Sequence, residues 1–103
     1  MISKSEIKKI KSLHSKKGRE LHNLILIEGK RLINQVINSQ FNIDKVWMTE
    51  DFKNKNLDMK EALHNINFEI IPENEIKKIS STKNSSGILG IVRMPINDIK
   101  KMN

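Results

Sequence analysis

The residues best suited to chemistry in this chain are cations grouped around a Glu-Gly pair. Lys16, Lys17 and Arg19 precede a short apolar run, and Glu28-Gly29 followed by Lys30 and Arg31 comes directly after it. Lys supplies a point charge, whereas a guanidinium grips a phosphate with two parallel hydrogen bonds. A helix opening after Gly29 also presents free backbone N–H groups, which suit a phosphate. This grouping points to a polyanionic ligand. A solvated basic face with no partner remains the competing reading of the charges taken alone.

Other chemistries find less support. The three histidines, His14, His22 and His64, are scattered and show no metal-ligand spacing, and cysteine is absent. No nucleophile elbow surrounds any serine. The acid pairs Glu50-Asp51 and Glu73/Glu75 fall at expected helix starts, where they complement the helix dipole. The four glycines, Gly18, Gly29, Gly87 and Gly90, build neither a dinucleotide fingerprint nor a phosphate loop. The expectation is therefore a chain with no catalytic residue, no metal site and no cofactor of its own.

The elements that must position the basic group follow from patterning. The chain has 103 residues, of which 37% are hydrophobic, enough for one modest core. Its net charge is +7. Residues 1–31 hold nine Lys or Arg against three Glu, so the excess lies in the first third. The longest apolar run, Leu24 to Ile27, is too short to span a membrane, and the start of the chain has no signal-peptide core. A cytoplasmic protein with no membrane partner is the expectation.

Ser3 to Leu13 reads as a helix, with Ser3 or Ser5 as N-cap and Glu6 at capping-box spacing. His14 to Gly18 reads as a break, with Gly18 as helix stop, and Arg19 to Asn23 as a turn or short helix. Leu24 to Ile27 reads as a buried strand and is followed by Gly29 and a helix striped by Leu32, Ile33, Val36 and Ile37. Asp44 to Thr49 is a second strand, with Trp47 on the face opposite Val46 and Met48. Leu57 to Asn65 is a helix, Asn67 to Ile71 a strand, and Pro72 opens a helix to about Ile79. Ser80 to Gly87 is a loop, and Ile88 to Met94 the fourth strand. This alternation predicts an α/β fold, a three-layer α/β/α sandwich over a four-stranded, mainly parallel sheet. Trp47, inside a strand, is expected to be packed rather than to stack on a base.

In order and spacing, these segments resemble the substrate-binding domain of the SpoU (TrmH-type) RNA ribose 2′-O-methyltransferases. The resemblance rests on Lys17 to Arg19, the strand ending in Glu28-Gly29, the stretch from Lys45 to Phe52, and the Ser-rich loop leading into Gly87 to Pro95. It covers about residues 4 to 95. The chain departs from the pattern at Asn84-Ser85-Ser86-Gly87, where the family often has a Thr-Pro-Gln-Gly-like loop, so only Gly87 is carried over.

The resemblance implies a fold similar to the kink-turn-binding ribosomal proteins and RNA as partner, ribosomal RNA ahead of transfer RNA. It implies that residues 1–95 form an RNA substrate-binding domain and that 96–103 are a tail or the start of a linker. A separate C-terminal domain would bind S-adenosylmethionine and transfer the methyl group. The 103-residue chain would then be non-catalytic and monomeric, and the parent protein a homodimer. Arg19 and Arg31 would meet phosphate, Gly29 would permit close backbone approach, Gly87 would contribute a turn before the last strand, and Glu28 would accept from RNA or fix Arg19 or Arg31 by a salt bridge; Lys16, Lys17 and Lys30 join this RNA-binding group on their charge alone. The alternative is a stand-alone ribosomal-type structural RNA binder, and a third reading is a domain whose basic face docks an acidic protein.

Overall fold

A computed structural model describes residues 2–83 and 85–94. Four strands form one sheet: β1 (Leu24–Glu28), β2 (Asn42–Met48), β3 (Phe68–Ile70) and β4 (Ile88–Arg93). Their order across the sheet is β1-β4-β2-β3. β2 and β3 pair in parallel, but β4 is antiparallel to both β1 and β2. The expected mainly parallel sheet is therefore corrected to a mixed one.

The reason lies in the last helix, α6 (Glu73–Ile79). It starts three residues beyond the end of β3, and Ser80, directly after it, bonds to Glu28 at the end of β1. Both ends of α6 thus lie at the same sheet edge. The helix crosses the strands instead of running back along them. The chain must enter β4 from that edge, and so runs opposite to β1, β2 and β3.

Alternation along the strands divides the core in two. Ile27, Val46, Met48, Ile88 and Val92 pack on one face with Ile33, Phe52, Met59 and Leu63. Those last residues come from α3 (Lys30–Ile37), α4 (Glu50–Lys55), α5 (Asp58–Ala62) and the residue after α5. On the other face Leu24, Trp47, Leu89 and Ile91 meet Ile10, Leu13, Ile76 and Ile79 from α1 (Lys4–Ser12), its C-cap residue Leu13, and α6. The three-layer expectation holds. Central β4 is buried at five of its six positions, as a strand covered on both faces requires. Each such large aliphatic side chain contributes about 1.5–3 kcal/mol.

Local signals near the N-terminus hold in part. Ser3 caps α1 with a complete capping box: its Oγ accepts from the Glu6 backbone N–H at 3.1 Å. Gly18, expected as a helix stop, instead sits inside α2 (Lys16–His22), which Ser15 caps. The helix ends at Asn23, in the left-handed conformation (φ 56°). Gly18 is needed because α1 and α2 touch there: a Cβ would stand 1.8 Å from the Ser12 carbonyl oxygen. One further difference is that the helix expected over 57–65 is shorter, and α4 precedes it, capped by Thr49 Oγ1 accepting from the Phe52 N–H. Residues 96–103, expected as tail or linker, lie outside the described residues.

Candidate functional site

The C-terminal ends of β1, β2 and β3 and the start of β4 meet at one edge of the sheet. There β1 ends in Glu28, and Gly29 turns the chain into α3. Gly29 adopts φ 99° and ψ 146°, and its N–H donates to the Ile88 carbonyl at 3.1 Å. That φ strains any residue with a Cβ. No side chain caps α3, and its first turn carries Lys30 and Arg31 with no acid.

Gly87 approaches from the other side with φ 89°. Its carbonyl accepts from the Thr49 N–H at 3.0 Å, and its own N–H donates to Ser85 Oγ at 3.1 Å. A Cβ here would lie 3.1 Å from Phe52 Cβ, so both backbone angle and space call for glycine. The Ser86 hydroxyl faces Gly29, 3.9 Å from where a Cβ would stand. The two glycines carried over from the resemblance are thus brought together.

Glu28 does not hold an arginine, which corrects the expected salt bridge. Its carboxylate instead accepts from the Ser80 hydroxyl, the Ser81 hydroxyl and the Ser81 backbone N–H, the last at 2.9 Å. Partial burial pushes this carboxyl up. The hydrogen bonds from Ser80 and Ser81, with His14 nearby, outweigh burial and hold it below the ordinary carboxylate range. His14 belongs to the corner too, since its Nε2 lies 3.0 Å from the carbonyl of Ile79, the last residue of α6. Ser80, Ser81 and His14 escape sequence reasoning because their partners lie 52, 53 and 65 residues away. The Ser-rich composition marked a loop but not its anchor.

The cations divide. Lys16 and Lys17 are exposed in the first turn of α2, which begins two residues after His14. Arg31 is exposed and makes no ion pair among the described residues. Arg19 is turned inward, donating from Nη1 to the Leu13 carbonyl at 3.1 Å, where it closes the end of α1. Lys30 reaches α5, pairing with Asp58 at 3.0 Å and Asn56 at 3.0 Å. Both side chains thus make contacts within the fold as well.

Among the described residues no group of three His, Asp or Glu could hold a metal ion. A cleft of about 220 Å³ lies on the α1 face, lined by Glu6, Asp44, Lys45, Trp47 and Asn67 among others. Most of its charges already pair: Lys45 bridges Glu6 at 3.2 Å and Glu69 at 3.0 Å and sits 5.2 Å from the Trp47 ring centre, and Asp44 pairs with Arg93 at 3.3 Å. Such a lining is a poor fit to an adenosyl group. Trp47 itself is 1% exposed and cannot stack on a base.

The model of the MRM3-like substrate binding domain family matches residues 4–90. The chain belongs to that family. No curated protein matches it in sequence. Among solved structures, the MRM3-like domain described here is similar to an RNA 2′-O ribose methyltransferase, with 24% identity and a TM-score of 0.76. That similarity covers 90% of this chain and 36% of the other. It is also similar to a protein assigned to the TrmH family of RNA methyltransferases from Porphyromonas gingivalis (19% identity, TM-score 0.70, 92% of this chain and 36% of that one). A third is the AdoMet-bound rRNA methyltransferase of Sinorhizobium meliloti (18% identity, TM-score 0.67, again 92% and 36%). These likenesses confirm the α/β fold, and the MRM3-like domain spans about a third of the length of each.

Proposed function

We propose that this MRM3-like domain captures and orients RNA for a ribose 2′-O-methyltransferase whose S-adenosylmethionine is bound, and whose methyl transfer is performed, by a separate catalytic domain. The match of residues 4–90 to a substrate-binding domain carries the reading. The corner supports it physically. Exposed Arg31 opens α3 just after Gly29, exposed Lys16 and Lys17 open α2 just after His14, and the hydroxyls of the Ser80–Ser81 segment are pinned in place. Phosphate would be met by the cations, while the carboxylate of Glu28 holds the Ser80–Ser81 segment in place. Ribosomal RNA is the preferred partner class over transfer RNA, the setting cytoplasmic, and the isolated domain a monomer within a dimeric parent. Similarity to the kink-turn-binding ribosomal proteins forms part of this proposal.

The test is a titration of the purified chain with fluorescent fragments of structured ribosomal RNA and with transfer RNA at several salt concentrations. Micromolar or weaker binding that falls steeply with salt is expected, because neutralised phosphates release counterions. Arg31→Glu combined with Lys16→Glu and Lys17→Glu should weaken it at least tenfold. Absence of binding at low salt would sink the reading.

A further inference from the structure

The sheet separates two helical layers of unequal charge. On one side α1, α2 and α6 carry nine Lys or Arg against four Glu. On the other side α3, α4 and α5 carry five Lys or Arg against four Asp or Glu. Pairing sharpens the contrast. On the basic side Glu6 is taken up by Lys45, and Glu75 is buried (7% exposed), where it accepts from the Ile2 N–H at 2.9 Å. On the other side Lys30 and Lys55 are spent on Asp58 and Asp51.

The free charge on the basic side is organised. Ile10 and Leu13 of α1 and Ile76 and Ile79 of α6 face the sheet. Lys4, Lys8 and Lys11 therefore form one exposed stripe at helical spacing, and α1 packs against α6, whose Lys77 and Lys78 are exposed too. None of the five makes an ion pair among the described residues. Packed helices lie about 8–10 Å apart, within one Debye length at 0.1 M salt, so the two rows reinforce each other. The arrangement costs stability: like charges three and four residues apart on α1 oppose the helix by about 0.2–0.5 kcal/mol per pair. A face kept only for solubility would carry mixed charge, as α4 and α5 do. Lys77 and Lys78 also lie in the last turn of α6, which leads straight into Ser80 and the Glu28 corner.

We infer that the outer faces of α1 and α6 form a second RNA surface, one that follows the phosphate backbone away from the Glu28–Gly29 corner. The inference rests on the proposed RNA-binding function and assigns to that function a surface on the α1 and α6 layer, distinct from the α3 side. The stripe of lysines on α1 has no planar groups for base recognition, so its contribution is independent of RNA sequence.

The experiment compares two triple variants of the full chain with equal change in charge. One is Lys4→Gln, Lys8→Gln, Lys11→Gln; the other is Lys53→Gln, Lys55→Gln, Lys60→Gln on the opposite layer. A double variant, Lys77→Gln with Lys78→Gln, checks the α6 row independently of α1. Binding to a labelled, structured ribosomal RNA fragment is followed by anisotropy across salt concentrations, with circular dichroism reporting the fold. The α1 triple is expected to lower the salt slope by about two to three, near 0.7–0.9 per phosphate contact, and to weaken binding at least tenfold at low salt. The α6 double should lower the slope by one to two, and the opposite-layer triple should leave it unchanged. Equal loss from both triples would overturn the inference. So would an unchanged slope in the α1 and α6 variants while Arg31→Gln weakens binding; in that case RNA stays at the corner and the broader function stands. Displacement of the RNA by polyglutamate at equal charge would reassign the surface to an acidic protein. If the unaltered chain binds no RNA at low salt, the proposed function falls and this surface with it.

Discussion

The carboxylate of Glu28 accepts a 2.9 Å hydrogen bond from the backbone N–H of Ser81, a residue 53 positions later in the chain. This bond joins the end of β1 to the segment leaving α6, and with the two serine hydroxyls it fixes where the Ser-rich loop begins. It makes Glu28 the anchor of the corner rather than a contact for a cation. Glu28→Ala is expected to lower stability by about 1 kcal/mol, a charged hydrogen-bond value reduced for partial exposure. RNA binding should fall several-fold as the loop loosens. Glu28→Gln, which keeps an acceptor, should lie between. Urea denaturation and amide hydrogen exchange at Ser81 would measure both.

The same carboxylate predicts a response to acid. Its folded pKa lies below the ordinary carboxylate value, because the serine hydrogen bonds outweigh the burial that opposes them. A group of this kind stabilises the fold above its unfolded pKa and loses that contribution as pH falls through its folded pKa. The native chain should therefore lose stability between about pH 5 and pH 3 more steeply than Glu28→Gln, whose side chain does not titrate. Parallel curves for the two proteins would remove Glu28 as a contributor.

Gly18 gives a test in which two effects oppose each other. In a solvated helix Gly→Ala gains about 1 kcal/mol. At this position the new Cβ would collide with the Ser12 carbonyl oxygen, 1.8 Å away, forcing α1 and α2 apart. Gly18→Ala is expected to destabilise by about 2 kcal/mol or more, the scale of an overpacked core. A raised melting temperature would show that α2 is free to move.

Gly87 and Gly29 share a positive φ but not the space around them. Replacement at Gly87 strains the backbone and crowds Phe52, whereas at Gly29 the nearest atom is Ser86 Oγ at 3.9 Å. Gly29→Ala should therefore cost about 1 kcal/mol and Gly87→Ala about 2–3 kcal/mol. Thermal melts of the two variants give the order directly.

The two arginines of the basic group should separate stability from binding. Arg19→Ala removes the donor at the end of α1 and is expected to lower stability by about 1 kcal/mol. Arg31→Ala leaves no broken contact among the described residues and should melt like the native chain while binding RNA less tightly. A reversed pattern would exchange their roles.

Much of this molecule was legible residue by residue. The capping box at Ser3 and Glu6, the opposed faces of Val46 and Trp47, the strand after Asn23 and the helix after Gly29 all depend on neighbours within one or two turns. Gly29, at a strand-to-helix turn, was legible for the same reason, whereas the space that excludes a side chain at Gly87 is set by the distant Phe52. Gly18 was misread because a glycine after a polar stretch looks like a helix stop, and only the approach of Ser12 shows otherwise. Charge alone placed Arg19 and Lys30 in the basic group; that the first also donates to the Leu13 carbonyl and the second also pairs with Asp58 is visible only in the folded chain.

The sequence by itself determined the four strands, most of the helices with their apolar faces, and the concentration of charge in the first third of the chain. Those properties follow from side-chain periodicity and local hydrogen bonding, which short stretches settle alone. Only the tertiary structure decided the direction of β4, since an apolar run of six residues satisfies a parallel or an antiparallel ladder equally well. It took α6 crossing the sheet edge to bring the chain back on the same side. That crossing also carried Ser80 and Ser81 to Glu28 and packed α6, with its exposed Lys77 and Lys78, against α1.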